Sequence, residues 1–259
     1  MTLREVFDEA PELYDRVRPG YPEQLFDDLA SFAGLRPGSR VLELGCGTGQ
    51  ATVPLAQRGY QVVAIELGGG LAELAQRKLA SFPAVRVVHA AFETWPLPAE
   101  PFDLVFAATA FHWIDPEVRV ARSADALRPG GALAIVSTHH VAGGDEQFFA
   151  DAQGCYERWD PETPPGLRLT PAADIPVDRE QFDGSRRFGD VVFRRYERDL
   201  TYSAQEYHDL LLSYSGHRAM EVTARRHLLS CIVGLIDGCY GGRVTKRYMN
   251  ELAVAHRAD

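Results

Sequence analysis

The stretch that decides the fold is residues 41–49, which read Val-Leu-Glu-Leu-Gly-Cys-Gly-Thr-Gly. A short apolar run, typical of a buried strand, breaks into three alternating glycines, and residues 50–57 then favour a helix. Glycine takes positive φ without strain and has no Cβ that would keep a ligand away from the backbone. The pattern therefore predicts a strand, a ligand-binding loop and a helix in immediate succession.

A second apolar run, residues 62–66, ends in an acidic residue, Glu66. In nucleotide-binding α/β folds, an acid about 20 positions beyond the glycine loop, at the end of the next strand, accepts hydrogen bonds from ribose hydroxyls. We therefore expect an adenosine-type cofactor, with Glu66 on its ribose and Gly45, Gly47 and Gly49 against it.

The spacing of the glycines distinguishes between cofactors. Dinucleotide-binding loops carry G-x-G-x-x-G, in which the last glycine brings the pyrophosphate to a helix N-terminus. Here the spacing is G-x-G-x-G, and the segment Glu43–Gln50 resembles motif I of the class I S-adenosylmethionine-dependent methyltransferases. A nicotinamide-dependent oxidoreductase is the less favoured alternative.

Further motifs follow in the order found in that family, and the resemblance is closest to small-molecule enzymes of the trans-aconitate methyltransferase-like group. They are Tyr14–Pro22, similar to Y-x-x-x-R-P-x-Y-P, then Ala91–Leu97, Phe102–Trp113 and Leu127–Gly131. The resemblance implies an α/β, Rossmann-like, doubly wound seven-stranded, mostly parallel sheet, with an antiparallel C-terminal strand pair and a helical lid insertion.

The resemblance also implies a set of residues that contact S-adenosylmethionine. They are Glu43, Gly45, Cys46, Gly47, Gly49, Glu66, Leu67, Ala91, Phe92, Glu93, Ala107, Ala108 and Thr109. Glu43 has two open interpretations, a partner for the cofactor ammonium or a tie between strand and loop. Ala91 departs from the family, in which Asp often accepts from the adenine amino group, so adenine recognition would fall to backbone groups near Phe92 or to Glu93.

The candidates for catalysis are His112, Tyr14 and Tyr21. Methyl transfer mainly requires the reactants to be held in line, so no fixed catalytic signature is expected. His112 follows the fourth strand, where ligands bind in open α/β sheets, and is either a base or a local structural residue. Tyr14, Arg18 and Tyr21 belong either to a lid over the cofactor or to an extended entry into the first helix.

The chain of 259 residues is interpreted as a single methyltransferase domain, residues 1–259. Its predicted parts are an N-terminal lid and helix (1–35), a cofactor-binding core (36–141), an insertion (142–190), and C-terminal strands with lid helices (191–259). The insertion contains one predicted helix, residues 145–159, and a proline-rich loop, residues 161–176. The pair Ser203 and Glu206 predicts a capping box that starts a helix.

Composition excludes several functions. A net charge of −9 argues against nucleic acid as a substrate, because phosphate binding needs a basic surface. No apolar run approaches the length of a membrane span, and the N-terminus lacks a signal-peptide pattern, so we expect a cytoplasmic protein, monomeric or homodimeric. The four cysteines lack metal-ligand spacing, which predicts reduced thiols and no metal site.

The sequence therefore predicts a methyltransferase that acts on a small molecule through oxygen, including a carboxylate oxygen, or nitrogen. A different class stays open as an alternative: a protein that keeps the fold and the cofactor site for binding or scaffolding without catalysis. The substitution at Ala91 and the unusual run Gly68–Gly70 keep that alternative open.

Overall fold

The computed structural model describes Asp8 and residues 10–258. Most of the first nine residues of the predicted N-terminal segment, namely 1–7 and 9, lie outside the described residues, as does residue 259. The strands are β1 Arg40–Leu44, β2 Gln61–Glu66, β3 Val85–His89, β4 Phe102–Ala108, β5 Leu127–Gly144, β6 Phe188–Ser203 and β7 Arg243–Arg257. The helices are α1 Pro11–Val17, α2 Glu23–Phe32, α3 Thr52–Gln57, α4 Gly69–Leu79, α5 Arg119–Ala126, α6 Glu146–Trp159, α7 Glu180–Asp183, α8 Ala204–Leu212, α9 Ser215–Ala219 and α10 Val222–Cys239, with short 3-10 helices at Phe111–Trp113 and Ala172–Asp174.

The seven strands form one sheet in the order β3-β2-β1-β4-β5-β7-β6. Strands β1 to β5 pair in parallel, with Leu42 of β1 opposite Val63 of β2 and Val105 of β4. The C-terminal pair is antiparallel, and helices cover both sides of the sheet. The predicted fold class is confirmed.

The chain divides into two compact units. The larger, called here the sheet unit, comprises residues 19–138, 177–196 and 250–258, and the smaller, called the helical unit, comprises the described residues up to Arg18 with 139–176 and 197–249. The interpretation as one domain, with the segments given above, stays a prediction.

The core of the sheet unit follows from the alternation of side chains along each strand. Val41 and Leu104 pack on one face with α2, α3 and α4, whereas their neighbours Leu42 and Val105 pack on the other face with α5. Both faces of the central strands are therefore buried, as a parallel sheet requires. This burial fixes the strand ends that carry the candidate site.

The helical unit has its own core, in which α6, α8 and α10 pack through Phe148, Tyr207, Leu210 and Ile232. The capping box that starts α8 is confirmed: Glu206 Oε2 accepts from Ser203 N, and Ser203 Oγ accepts from Glu206 N.

The prediction of four reduced thiols is wrong for two of the cysteines. Cys155 on α6 and Cys231 on α10 form a disulfide, with their Cα atoms 5.9 Å apart. They lie 76 residues apart in the sequence, and the spacing of cysteines along a chain does not show which helix faces meet. Cys46 is a buried free thiol and Cys239 an exposed one.

Two features are absent from the part of the chain that the structure describes. None of the helices there is both long and apolar enough to cross a membrane. Over the same ranges, no three His, Cys, Asp or Glu side chains are grouped so that they could hold a metal ion.

Candidate functional site

The glycine loop joins β1 to α3 through backbone conformations that only glycine adopts easily. Gly45, Gly47 and Gly49 have φ of 68°, 56° and 92°. A Cβ at Gly45 would lie 2.6 Å from the Cβ of Ala110, so the loop also packs too closely there for a side chain. The amides of Gly45 and Cys46 donate to the carbonyl of Ile65, which holds the loop against the end of β2.

Glu66 ends β2 with its side chain buried at 7% exposure. Its Oε2 accepts from the amide of Gly47 at 2.8 Å, and its Oε1 accepts from the amide of Gly68 at 2.8 Å. One carboxylate therefore fixes both the glycine loop and the turn into α4. Each carboxylate oxygen has two lone pairs and can accept more than one hydrogen bond.

Glu43 lies on β1, two residues before the loop, and is 1% exposed. Its pKa is raised to about 7, mainly by burial, with the Thr52 hydroxyl opposing the shift and the negative charge of Glu66 adding to it. Within the described residues, Glu43 Oε2 has no hydrogen-bond partner. A buried acceptor without a donor is costly in free energy, and this one suits a cationic or N–H-bearing ligand.

The residue that follows β4, Thr109, has a strained backbone conformation. Thr109 has φ of 56°, a conformation that β-branched residues rarely adopt. Its hydroxyl lies 3.1 Å from Tyr21 Oη and 3.0 Å from Thr138 Oγ1, and Asn250 Nδ2 donates to Thr138 at 2.9 Å. The unusual conformation is thus held by a polar network of four side chains.

The turn after β3, which carries Ala91 in place of the family's Asp, is closed by backbone hydrogen bonds. The carbonyl of Ala91 accepts from the amides of Thr94 and Trp95, which closes the turn without a side-chain acceptor. Phe92 is buried, and its carbonyl accepts from Arg122 Nε at 3.0 Å. The backbone acceptors of this turn that sequence analysis assigned to adenine therefore already have protein partners, and the carboxylate of Glu93 is 3.4 Å from the amide of Asp115.

The other predicted residues are spread over both units. Ala107 and Ala108 line the end of β4, and the carbonyl of Leu67 lies 3.0 Å from His89 Nε2. His112 is exposed, with its ring against that of Trp113 at 4.8 Å. Tyr21 belongs to the Thr109 network, whereas Tyr14 and Arg18 lie in the helical unit, with the Arg18 guanidinium 5.0 Å from the centre of the Tyr14 ring.

The chain is similar in sequence to a known protein family and to curated proteins. The family profile described as "Methyltransferase domain" matches residues 42–135. An uncharacterized methyltransferase of Geobacillus kaustophilus is 31% identical over 157 residues, which cover 57% of this chain and 71% of that protein. The chain belongs to the methyltransferase family.

Other relatives share less of their length with this methyltransferase-family chain. An uncharacterized methyltransferase of Mycobacterium tuberculosis is 37% identical over 130 residues, 50% of this chain and 51% of the relative. A trans-aconitate 2-methyltransferase of Deinococcus radiodurans is 30% identical over 154 residues, 56% of this chain and 58% of the relative. The chain thus spans about half the length of several curated relatives it matches.

Solved structures support the same fold. A candidate type II methyltransferase from Anaeromyxobacter dehalogenans matches with a TM-score of 0.63 and 25% identity over 92% of this chain and 97% of that one. A phosphoethanolamine N-methyltransferase of Haemonchus contortus, in complex with S-adenosylhomocysteine, matches with a TM-score of 0.56 and 18% identity over 100% of this chain and 61% of that one.

Three polar residues of this methyltransferase-family chain were not predicted from its sequence: Asn250 and Lys246 are buried, and Thr138 is half-buried. Thr138 and Asn250 complete the Thr109 network, and Lys246 is buried in the helical unit. The final strand mixes polar and apolar residues, so its local pattern does not mark Lys246 or Asn250 as buried.

Proposed function

We propose that this chain is an S-adenosylmethionine-dependent methyltransferase that acts on a small molecule through an oxygen, including a carboxylate oxygen, or a nitrogen. The observation that carries the proposal is the pair of buried carboxylates at the glycine loop, Glu66 with both oxygens on loop amides and Glu43 with one unpartnered oxygen. They suit a ligand that brings hydroxyl groups and a positive charge.

In this proposal Glu66 accepts from the ribose hydroxyls, and Glu43 faces the ammonium of the cofactor's amino-acid part. Gly45, Cys46, Gly47 and Gly49 allow the close approach, and the remaining cofactor contacts come from Leu67, the turn Ala91–Glu93 and the β4 end at Ala107–Thr109. S-adenosylmethionine supplies a methyl group that its sulfonium charge has already activated. The chain then has to orient the methyl acceptor and the methyl donor relative to each other and to exclude water.

Tyr21 is the candidate positioning residue that the contacts favour, since its hydroxyl bonds to Thr109 beside the loop. His112 and Tyr14 remain proposed contributors, His112 as a base for an acceptor that carries a proton. A carboxylate acceptor needs no base, so the requirement for His112 would itself report on the acceptor.

The test is calorimetric titration with S-adenosylhomocysteine, with NADH as the control. We expect micromolar binding of the first and none of the second, followed by transfer of a radioactive methyl group in a screen of carboxylic acids, phenols and amines. Binding of NADH alone would overturn the proposal. Tight cofactor binding without transfer to any acceptor would instead favour the non-catalytic alternative.

A further inference from the structure

Lys246, on β7 within the helical unit, is a buried cation without a counter-ion. The residue is 5% exposed, and within the described part of the chain no carboxylate forms an ion pair with it. An isolated charge buried in a protein is expensive unless another group compensates for it. A lysine buried in this way therefore fits beside an anionic partner that the chain itself does not supply.

The immediate surroundings of Lys246 are aromatic. Its Nζ lies 5.4 to 5.9 Å from the ring centres of Tyr248, Tyr214, Tyr207 and Phe149. The faces of aromatic rings attract a cation weakly. They do not accept the three hydrogen bonds that an ammonium can donate, so they leave room for a stronger acceptor.

The nearby titratable groups add positive or neutral charge. Arg18 donates to the carbonyl of Ser213 at 2.7 Å, lies 4.4 Å from the centre of the Tyr214 ring, and lowers the pKa of Lys246. Burial and the charge of Lys246 lower the pKa of both His140 and His217. Both imidazoles are therefore neutral near pH 7, and the two fixed charges close to each other are both cations.

Lys246 lines a cavity of about 1220 Å³ that lies wholly within the helical unit. The walls are largely apolar and come from α6, α8, α10 and the loop 161–171, with Trp159, Met220 and Ile232 among them. Of the acidic residues of the lining, Glu146, Glu162 and Glu221 are exposed, and Asp160 is half-buried.

We propose that this cavity binds an organic monoanion with an apolar body, of the aryl or alkyl carboxylate class, whose carboxylate meets Lys246. A carboxylate beside the ammonium supplies both the missing charge and the missing hydrogen-bond acceptors. The apolar body packs against the cavity walls, and the cavity volume is large enough to hold a small organic ligand.

The distribution of charge also sets how many negative charges the ligand carries. Among the lining residues, Lys246 is the buried cation, and Arg168 is exposed. The acids of the lining would repel a second and a third carboxylate. A compact polyanion such as a tricarboxylate therefore fits less well than a monoanion of the same size.

The experiment is calorimetric titration of the full chain, without cofactor, at pH 6.5. The probes are 2-naphthoate, its neutral isostere 2-naphthamide, and tricarballylate. The variants are Lys246→Met, Lys246→Arg and, as the matched control, Lys78→Met at the chain's other, exposed lysine. We expect 2-naphthoate to bind wild type and Lys78→Met equally, and Lys246→Met about thirtyfold more weakly or worse, as for loss of one partner of a buried charge pair.

The comparison of 2-naphthoate with 2-naphthamide uses wild-type protein only, so it decides the proposal even if Lys246→Met does not fold. Preference for the carboxylate and partial binding by Lys246→Arg would support the site. Equal binding of the acid and the amide, tighter binding of tricarballylate, or no binding of 2-naphthoate would each overturn it. None of these outcomes involves methyl transfer, so failure here and failure of the proposed function are separate results.

Discussion

The two units bury opposite charges. The sheet unit holds Glu43 and Glu66 at its glycine loop, both below 10% exposure, whereas the helical unit holds Lys246 at 5% exposure in an aromatic cavity. Glu43 has an unpartnered oxygen, and Lys246 has no ion pair among the described residues.

The difference in the sign of the buried charge indicates which kind of ligand each unit can bind. A buried charge costs free energy, and a group in that state often marks a functional site. The sign of the charge left over then indicates the sign of the ligand. The sheet unit suits a ligand with a positive group, and the helical unit suits an anion.

The largest expected effect concerns the disulfide that joins α6 to α10 within the helical unit. The double change Cys155→Ala and Cys231→Ala opens a loop of 76 residues and should lower the free energy of unfolding by about 4 kcal/mol on the chain-entropy estimate. Urea denaturation followed by circular dichroism measures this. The matched control is Cys239→Ala, an exposed free cysteine, which should change little.

That change also sharpens the contrast between the units, since α6 and α10 both line the cavity. Under conditions where the double variant is folded, its affinity for 2-naphthoate should fall while its affinity for S-adenosylhomocysteine stays that of wild type. Equal losses for both ligands would show that the two sites do not respond separately.

The next effect is on cofactor binding. Glu66→Ala removes the acceptor of the Gly47 and Gly68 amides as well as the proposed ribose acceptor. Charge-assisted hydrogen bonds contribute about 1.5–3 kcal/mol each, so the affinity for S-adenosylhomocysteine should fall about a hundredfold or more. Calorimetry checks this, with Glu73→Ala on the exposed face of α4 as the control. Wild-type affinity in Glu66→Ala would refute the ribose assignment.

A smaller effect separates close packing from backbone strain. Gly45→Ala places a Cβ 2.6 Å from Ala110 and at positive φ, whereas Gly38→Ala meets positive φ with open space around it. Both should lose about 1–2 kcal/mol from the left-handed backbone. Thermal unfolding should show an additional loss for Gly45→Ala, and only this variant should bind S-adenosylhomocysteine more weakly. Identical behaviour of the two variants would contradict the close approach at the loop.

Sequence was sufficient for the sheet unit because its signals are local. Alternating glycines, an acid at the next strand end and apolar strand runs each depend on neighbours in the chain, and the strand order and capping box agree with them. The disulfide and the Thr109 network depend on residues that are far apart, such as Cys155 and Cys231, or Tyr21 and Asn250. No local pattern specifies those pairs.

The cavity was not predictable for a related reason. A lysine within a strand is ordinary when the strand faces water, and only the packing of α6, α8 and α10 shows that Lys246 is buried. The contacts of the N-terminal motif, residues 14–22, were not predictable from its sequence either. Tyr14 and Arg18 were grouped with Tyr21 by sequence, but they contact residues of the helical unit, while Tyr21 contacts Thr109 in the sheet unit.

The most direct test of opposite buried charges is the pH dependence of two affinities. Burial lowers the pKa of Lys246 to about 7 and raises that of Glu43 to about 7. Lys246 is charged below that pH and neutral above it, so 2-naphthoate should bind about tenfold more weakly at pH 8 than at pH 6. Glu43 is charged above that pH, so S-adenosylhomocysteine should bind about tenfold more tightly at pH 8.

Several other titratable groups face Lys246 and Glu43. Around Lys246, the lowered pKa values of His140 and His217 and the raised pKa values of Tyr207, Tyr214 and Tyr248 keep these side chains neutral. The guanidinium of Arg18 is the second cation beside Lys246, and the acids Glu146, Asp160, Glu162 and Glu221 line the cavity. Beside Glu43, the raised pKa of Cys46 keeps it a thiol, and Glu66 is the neighbouring acid.

The measurement is calorimetric titration of each ligand between pH 6 and pH 8 on one preparation of wild-type protein. We predict affinities that move in opposite directions, with the anion favoured at low pH and S-adenosylhomocysteine at high pH. Affinities that change in the same direction, or do not change, would contradict the assignment of a cationic ligand to the sheet unit and an anionic ligand to the helical unit.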